Sequence, residues 1–456
     1  MPRLLLLLPA AGYANQDFIA AAARLDIELI ACADYCHRLA PGWGLPALMS
    51  VPFDQPEAAL PLVLAALSGS SPLPDPDGTT SHSTKPASGQ VAGCLPLAGE
   101  GANVMPLCPS GCKPINAVLA VDDHGAALAA QLRRALGLPG NTPEAIATLT
   151  DKLAFRQLQQ QHGLPHPAFA VIDSAVINGG IPLPPPLLPF PLVVKARRLN
   201  AGRGVIRVND AEQFVQAVNS VRQIQARAQR EGDRPLLVEA FVPGAEAALD
   251  GVLDQGRLRV LALFDKPDPL DGPYFEETLF ITPSRLPAAS QAAFAAAVQH
   301  ACAAAGLADG VIHAEARIND AGIWLLEIAP RGIGGLCGRI LAATLGMDSA
   351  EIVLRHAVGL PLPTQAHGTA AGVMMIPIPV SGILQGVDGC EVARALPHIS
   401  GIELTAHPGQ LVAPPPTGAG YLGFIFSRAA TPQIAEAALR AAHRALVVRI
   451  QPLLTR

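Results

Sequence analysis

The sequence predicts an α/β protein: an N-terminal unit built on a parallel sheet, a central region of strands around one long polar helix, and a small C-terminal α/β unit. Three observations carry this. Apolar runs at residues 4–8 and 27–33 flank a helical stretch over 17–25, which is the spacing of a βαβ opening. The middle third alternates strand-like runs with a polar helix over 211–231. Near the C-terminal end, short strands around 373–379 and 421–426 precede a helix over 433–448, capped by Thr431 and Pro432.

Composition bounds what such a chain can be. Its 456 residues suggest two to four domains, and 50% hydrophobic against 15% charged residues requires packed cores rather than a disordered polyelectrolyte. Lys plus Arg number 32 against 37 Asp plus Glu, a net charge of −5, so no nucleic-acid partner is expected and any bound anion needs a local site. Eight cysteines do not make a disulfide framework in a chain of this length. Cys32/Cys36 and Cys108/Cys112 lack the nearby histidines of a zinc finger. The opening leucine run is shorter than the apolar core of a secretory signal, about 7 to 15 residues, and reads as a buried strand. Pro, Gly or charged residues interrupt every longer apolar stretch, so no membrane span is expected and the protein reads as soluble and cytoplasmic.

The α/β alternation breaks at 68–113, which is crowded with Ser, Pro, Gly and Thr and is expected to be a disordered insert. A strand at 115–121 and a helix at 125–136 then return the chain to the same layer. Thr142 and Pro143 open one or two helices that end near Gly163, and a Pro-rich connector at 181–191 leads to the middle strands. The expected domains are 1–141 (with the insert), 142–359 and 360–456.

Two segments could carry chemistry. In VVKARRLNAGRGV, Lys195 ends an apolar strand and Gly202 and Gly204 lie in a loop with Arg197, Arg198 and Arg203. Glycines let backbone N–H groups approach a phosphate and the cations neutralise it, although an ordinary basic turn would read the same. In HAEARINDAGIWLLEIAPR, strands at 313–318 and 323–328 flank Asp320-Ala321-Gly322, which suits a three-residue hairpin turn. That register sets Glu315 opposite Glu327, with His313, Arg317 and Leu325 on the same face. Two carboxylates about 5 Å apart repel, and a bridging divalent cation resolves the repulsion. The alternative is a solvated hairpin whose glutamates pair with Arg317 or Arg339.

With LLVEAFVPGAE at 236–246, these segments stand in the order and spacing of the ATP-grasp superfamily, and 142–359 resembles its ATP-dependent carboxylate-amine ligases. The nearest resemblance is to L-amino acid ligases, with biotin carboxylase and carbamoyl-phosphate synthase as relatives. The resemblance implies a central two-subdomain ATP-grasp domain between flanking α/β domains. It implies Lys152 and Lys195 as phosphate-binding lysines, with loop 199–204 closing over the phosphates. Glu239, Ala240 and Val242 would hold adenine, Glu246 the ribose hydroxyls, and Glu315 and Glu327 the metal, Mg²⁺ or Mn²⁺. His313 and Arg331 would lie near the transferred phosphate and the substrate carboxylate. Many members carry Asn two residues after the second metal glutamate, where this chain has Ala329. The implied activity activates a carboxylate as an acyl phosphate for attack by an amine. The partners are then small-molecule carboxylate and amine substrates, with a homodimer left open. A catalytically inactive ATP-binding module is the alternative, with Ala329 as its one hint. The run APRGIGGLCGRIL and the lack of a biotinyl-lysine motif disfavour a bicarbonate-using biotin enzyme.

The insert generates a first prediction. Replacing residues 68–113 by a short Gly/Ser joint should leave folding and activity near wild type, because the stretch has too little apolar periodicity to offset the entropy of ordering. A loss of soluble protein or of turnover would show that it packs or binds.

Overall fold

The computed structural model describes residues 1–10, 12–34, 48–68, 114–177, 182–228, 235–363, 368–418 and 420–453. The expected insert therefore lies, from residue 69 onward, outside the described residues, as do Cys36, Cys108 and Cys112. The chain divides into two compact units, one of residues 1–143 with 357–360 and one of 144–356 with 361–456.

The first unit runs β1 (Arg3–Leu8), α1 (Asn15–Arg24), β2 (Glu28–Ala33), β3 (Leu48–Ser50), α2 (Pro56–Ser68), β4 (Ala117–Ala120) and α3 (Asp123–Leu136). Its strands pair in parallel in the order β3-β2-β1-β4. The five leucines of β1 are fully buried, as a strand covered on both faces requires. The helix α3 starts where the Asp122 side chain accepts from the His124 N–H and stops at left-handed Gly137.

The second unit begins with α4 (Pro143–Leu149), α5 (Lys152–Gln161), β5 (Phe169–Ile172), α6 (Ser174–Ile177), β6 (Leu192–Lys195), β7 (Val205–Val208), α7 (Ala211–Arg227) and β8 (Leu236–Ala240). There follow β9 (Ala245–Asp254), β10 (Arg257–Lys266), β11 (Leu279–Thr282), α8 (Ala288–Ala304), β12 (Gly310–Asn319) and β13 (Gly322–Ala329). After a 3-10 turn at Cys337–Ile340 come α9 (Leu341–Leu345), α10 (Ser349–Ala357), β14 (Ala370–Ile376), β15 (Gly382–Asp388), α11 (Cys390–Arg394), β16 (Ile399–Leu404), β17 (Leu411–Val412), β18 (Gly423–Ala429), α12 (Pro432–Arg444) and β19 (Val447–Pro452).

Among the described residues these strands form three sheets: an antiparallel β5-β8-β6-β7, a large β13-β12-β9-β10-β11-β14-β18-β16, and a small β17-β15-β19. The apolar face of α7 (Phe214, Ala217, Val218, Val221) covers the first of these over Leu192, Val194, Ile206 and Val238. Residues 241–244 link β8 of that sheet to β9 of the large one. The link is tight: a Cβ on Gly244 would lie 2.4 Å from the Ile318 carbonyl oxygen, and its φ is +126°.

Two expected elements differ. The polar helix ends at Arg227 rather than near residue 231. The C-terminal helix stops at Arg444, and Val447 and Val448, expected within it, begin β19, where β-branched side chains pair with β15. Its expected start holds, because the Thr431 hydroxyl accepts from the Ile434 N–H.

Candidate functional site

The Glu315/Glu327 hairpin is reached by a different route from the one the sequence suggested. Glu315 pairs with Glu327, but the turn contains two residues, because Asn319 pairs with Gly322. A bulge opposite the Glu315–Ala316 step then absorbs Leu326 and restores the register. Below the bulge Arg317 faces Trp324, so Leu325 does not share its position as expected.

The two glutamates have different neighbours. Glu315 lies with Glu246 and Glu277, each offering an oxygen within 4.8 Å of the others, while Glu327 is 3.6 Å from the Lys152 ammonium. Lys266 reaches into the carboxylate group, 2.6 Å from Glu246 and 3.3 Å from Glu315, and also contacts Glu277. Burial and the adjacent Glu315 charge push the Glu277 carboxyl up, so it keeps its proton and donates a hydrogen bond to Glu315, which Lys266 and His313 hold ionised against its burial. Glu277 and Lys266 were missed in the sequence reading, since only the tertiary fold brings 246, 266, 277 and 315 together.

His313 is buried and engaged on both ring nitrogens, at 2.7 Å to Asp250 and 3.3 Å to Glu315. Burial alone would lower its pKa, but the two carboxylates lift it to about 9. Its place in the structure is between two carboxylates rather than facing open space. The other oxygen of Asp250 accepts from the Ile333 N–H, in the loop after β13 that carries Arg331. Arg331 itself donates to the Gly332 carbonyl at 2.8 Å. Ala329 pairs with His313 in the β12–β13 register and is buried.

The second group of charges centres on Glu239. Its oxygens meet Arg156 Nε and Lys195 Nζ, each at 2.5 Å. Arg156 is fully buried and also donates to Gln159, to the Leu325 carbonyl at 3.2 Å and to the Leu326 carbonyl at 2.8 Å. Despite burial, these cations hold the Glu239 carboxyl down at about 2. Burial, Arg156 and Lys152 lower the Lys195 pKa, and Glu239 only partly offsets them. One carboxylate cannot neutralise two buried cations, so the place favours a further anion.

Lys152 opens α5 and donates to the Leu199 carbonyl at 2.6 Å. Asp151 caps that helix and accepts from Arg197 at 3.0 and 2.6 Å and from Arg198 at 3.2 Å, so two of the three loop arginines of the sequence reading are committed to it. In loop 199–204, Ala201, Gly202 and Gly204 all have positive φ. A Cβ on Gly202 would lie 2.6 Å from the Phe275 carbonyl oxygen, so the loop tip rests on the segment leading to Glu277.

Ala240 and Val242 lie at the link between the sheets, beside Phe241, whose ring is flanked by Arg207 at 4.0 Å and Arg317 at 5.4 Å. Both oxygens of Glu246 are engaged, by Lys266 and by Arg317 at 2.9 Å, so a ligand hydroxyl could only share them. Arg317 also donates to Gly244 and Leu270 carbonyls, joining the link, Glu246 and the segment after β10.

Two stretches of the chain match known families. A model described as an ATP-grasp domain matches residues 188–340, and one described as L-amino acid ligase C-terminal domain 2 matches 374–451. Carnosine synthase 1 of Gallus gallus is 32% identical over 283 residues, covering 58% of this chain and 30% of its own. N5-carboxyaminoimidazole ribonucleotide synthase of Synechococcus elongatus is 31% identical over 193 residues, covering 41% of this chain and 44% of its own. The chain thus spans under half the length of these relatives. The L-amino acid ligase of Bacillus licheniformis superposes with a TM-score of 0.74 over 99% of both chains at 22% identity, a likeness of fold. No helix among the described residues is long and apolar enough to cross a membrane.

The Glu239 pairing predicts an acid-labile component of stability. Its folded pKa lies below the ordinary 4.5, so the contribution is present above pH 4.5 and lost as pH falls through about 2. A fall from 4.5 to about 2 corresponds to about 3 kcal/mol at most. Urea unfolding of wild type and Glu239→Gln should differ most near neutrality and converge on acidification across that window. Parallel curves would show that Glu239 is not the group responsible.

Proposed function

We propose that this chain, an ATP-grasp protein with an L-amino acid ligase C-terminal domain, is an ATP- and Mg²⁺-dependent ligase that joins a carboxylate, an amino acid in this reading, to an amine. The observation that carries the proposal is the surplus of buried positive charge around Glu239, beside the glycine loop and the Glu315/Glu327 hairpin. A polyphosphate supplies the missing negative charge there.

In this reading Lys152 and Lys195 answer the phosphates, with Arg156 adding buried positive charge behind Glu239, and Gly202 and Gly204 let the loop backbone close on them. Glu239, Ala240 and Val242 border the base at the link between sheets. Glu246 meets the ribose with oxygens it shares with Lys266 and Arg317. The donor set suits a hard divalent cation, Mg²⁺ or Mn²⁺, since Glu315, Glu327 and Glu277 offer only carboxylate oxygens. Held by those carboxylates, such a cation would supply Lewis-acid neutralisation of the phosphate charge during transfer of the γ-phosphoryl group to the substrate carboxylate. His313, with Asp250 behind it, holds Glu315 in place. Arg331 offers a two-pronged guanidinium to the substrate carboxylate, and the amine then attacks the acyl carbon, which breaks the bond to phosphate and releases inorganic phosphate and the amine proton.

The domain limits 1–141, 142–359 and 360–456 belong to the same proposal, supported by the matches at 188–340 and 374–451. So do a cytoplasmic setting, small-molecule partners, and a homodimer, which light scattering would test.

The deciding experiment is ADP release across a panel of amino acids and small carboxylates. Release that depends on an added amino acid supports a ligase. ATP binding with no release under any pair would make the chain a binding module. Lys195→Ala should lose turnover by about a hundredfold and weaken ATP binding, because a desolvated phosphate contact loses its charge. Glu315→Gln should abolish Mg²⁺-dependent turnover with the fold intact; unchanged metal dependence would make that carboxylate structural. Arg331→Lys keeps the charge but loses the fork, so ATP should bind normally while ligation falls, and near-normal ligation would remove Arg331 from the substrate.

A further inference from the structure

We infer that α12, within the matched C-terminal domain, is a positioning element for the site: Glu436 and Arg440 clamp both ends of the segment that carries Lys266 and Glu277. The part of this inference that concerns turnover rests on the proposed function.

The segment leaves β10 at Lys266 and rejoins the sheet at β11, just after Glu277 and Thr278. Side chains alternate along a strand, so as Lys266 turns inward to the carboxylates its neighbour Asp265 turns outward. Asp265 accepts from Ser284 Oγ at 2.6 Å and from Arg285 Nε at 2.5 Å. Arg285 in turn donates to Glu436 at 2.8 Å. The other Glu436 oxygen takes Arg440 Nε and Nη2 at 3.0 and 2.8 Å. Arg440 Nη2 also reaches Asp268 at 2.6 Å, and the second Asp268 oxygen accepts from the Thr278 hydroxyl. The chain of contacts thus runs from Asp265, next to Lys266, through α12 to Asp268 and Thr278, next to Glu277.

The middle of the segment is held separately. Arg207 on β7 donates its N–H to Pro273 O at 2.8 Å and its guanidinium to Asp271 O at 2.6 Å. The segment is therefore suspended between the glycine hairpin and α12. The helix can serve as a fixed post because its opposite face (Ala435, Ala438, Leu439, Ala442) is buried against the large sheet. Gly372 makes room there: a Cβ on it would lie 2.8 Å from Leu439. Arg440 and Arg285 are about one third exposed, at 35% and 31%, so each pair alone would contribute little. Their effect depends on both guanidiniums meeting two carboxylates at once, which a lysine's single point charge cannot reproduce.

The test uses the full chain with Arg440→Ala and Arg440→Lys, read by amide hydrogen exchange and by steady-state kinetics. In Arg440→Ala, exchange at 267–278 should rise at least about fivefold while 432–444 stays protected. Its kcat should fall about tenfold with KM for ATP within about twofold, since the groups are displaced rather than removed. Arg440→Lys should recover less than half of the loss, and adding Asp268→Asn to Arg440→Ala should cost little more. Unchanged exchange at 267–278, increased exchange with unchanged kcat, or equal loosening of 432–444 would each overturn the inference. A wild-type chain that never releases ADP would overturn the proposed function instead, and the exchange data would still decide whether α12 holds the segment.

Discussion

Buried charge in this protein has to be neutralised locally, and Arg156 is where that requirement shapes the most structure. A guanidinium with no solvent contact must find partners for its donors. It finds Glu239 on β8, Gln159 on its own helix, and the carbonyls of Leu325 and Leu326 on β13. One side chain on α5 thus ties the strand that pairs with Lys195 to the strand that carries Glu327. Leu326 is the residue left over at the bulge, so the carbonyl that bonds Arg156 sits where the ladder is already interrupted. Loss of Arg156 would leave Glu239 to Lys195 alone and take from the Leu326 carbonyl the donor it meets at the bulge.

A second set of charges solves the same problem on the large sheet. Arg317 and Lys266 share Glu246, and Lys266 also faces Glu277 and Glu315. More carboxylates than cations meet here, and the excess is relieved partly by keeping Glu277 protonated. Arg317 then turns its remaining donors to Gly244 and Leu270 carbonyls and its face to Phe241. The link between the two sheets is consequently fixed by the same residue that steadies the carboxylates. Movement of one sheet against the other would have to pass through Phe241 and its two arginines.

What could be read in the sequence is what depends on local pattern. The leucine run of β1, the Thr431 cap, and the strand runs around Lys195 and Glu239 are local, and they stand in the structure within a few residues. The Glu315–Glu327 pairing was legible for a weaker reason: a three-residue turn, and a two-residue turn plus one bulge, give the same count between the glutamates. The bulge itself has no local signature in Leu326. Arg156, Lys266 and Glu277 were illegible because their meaning comes from partners 83, 20 and 11 residues or more away. Val447 and Val448 lay within the C-terminal helix expected from the sequence, and pairing with β15 overrode that.

The division of the two hairpin glutamates follows from these charge sets rather than from the hairpin. Glu315 is drawn toward Lys266 and His313, and Glu327 toward Lys152, so like charges that pair in register are each given a cation. In the proposed reaction the incoming nucleotide is a polyanion accompanied by a divalent cation. Lys152 can exchange Glu327 for phosphate oxygens while Glu327 turns to the metal, and Lys195 can meet phosphate with Glu239 still held by Arg156. The phosphates would supply the negative charge that the cations around Glu239 lack, and the metal would take up the carboxylate that Lys152 gives up. A nucleotide arriving without its cation would satisfy the lysines but strand the carboxylates. The arrangement therefore couples the two ligands energetically, each lowering the cost of desolvating the other.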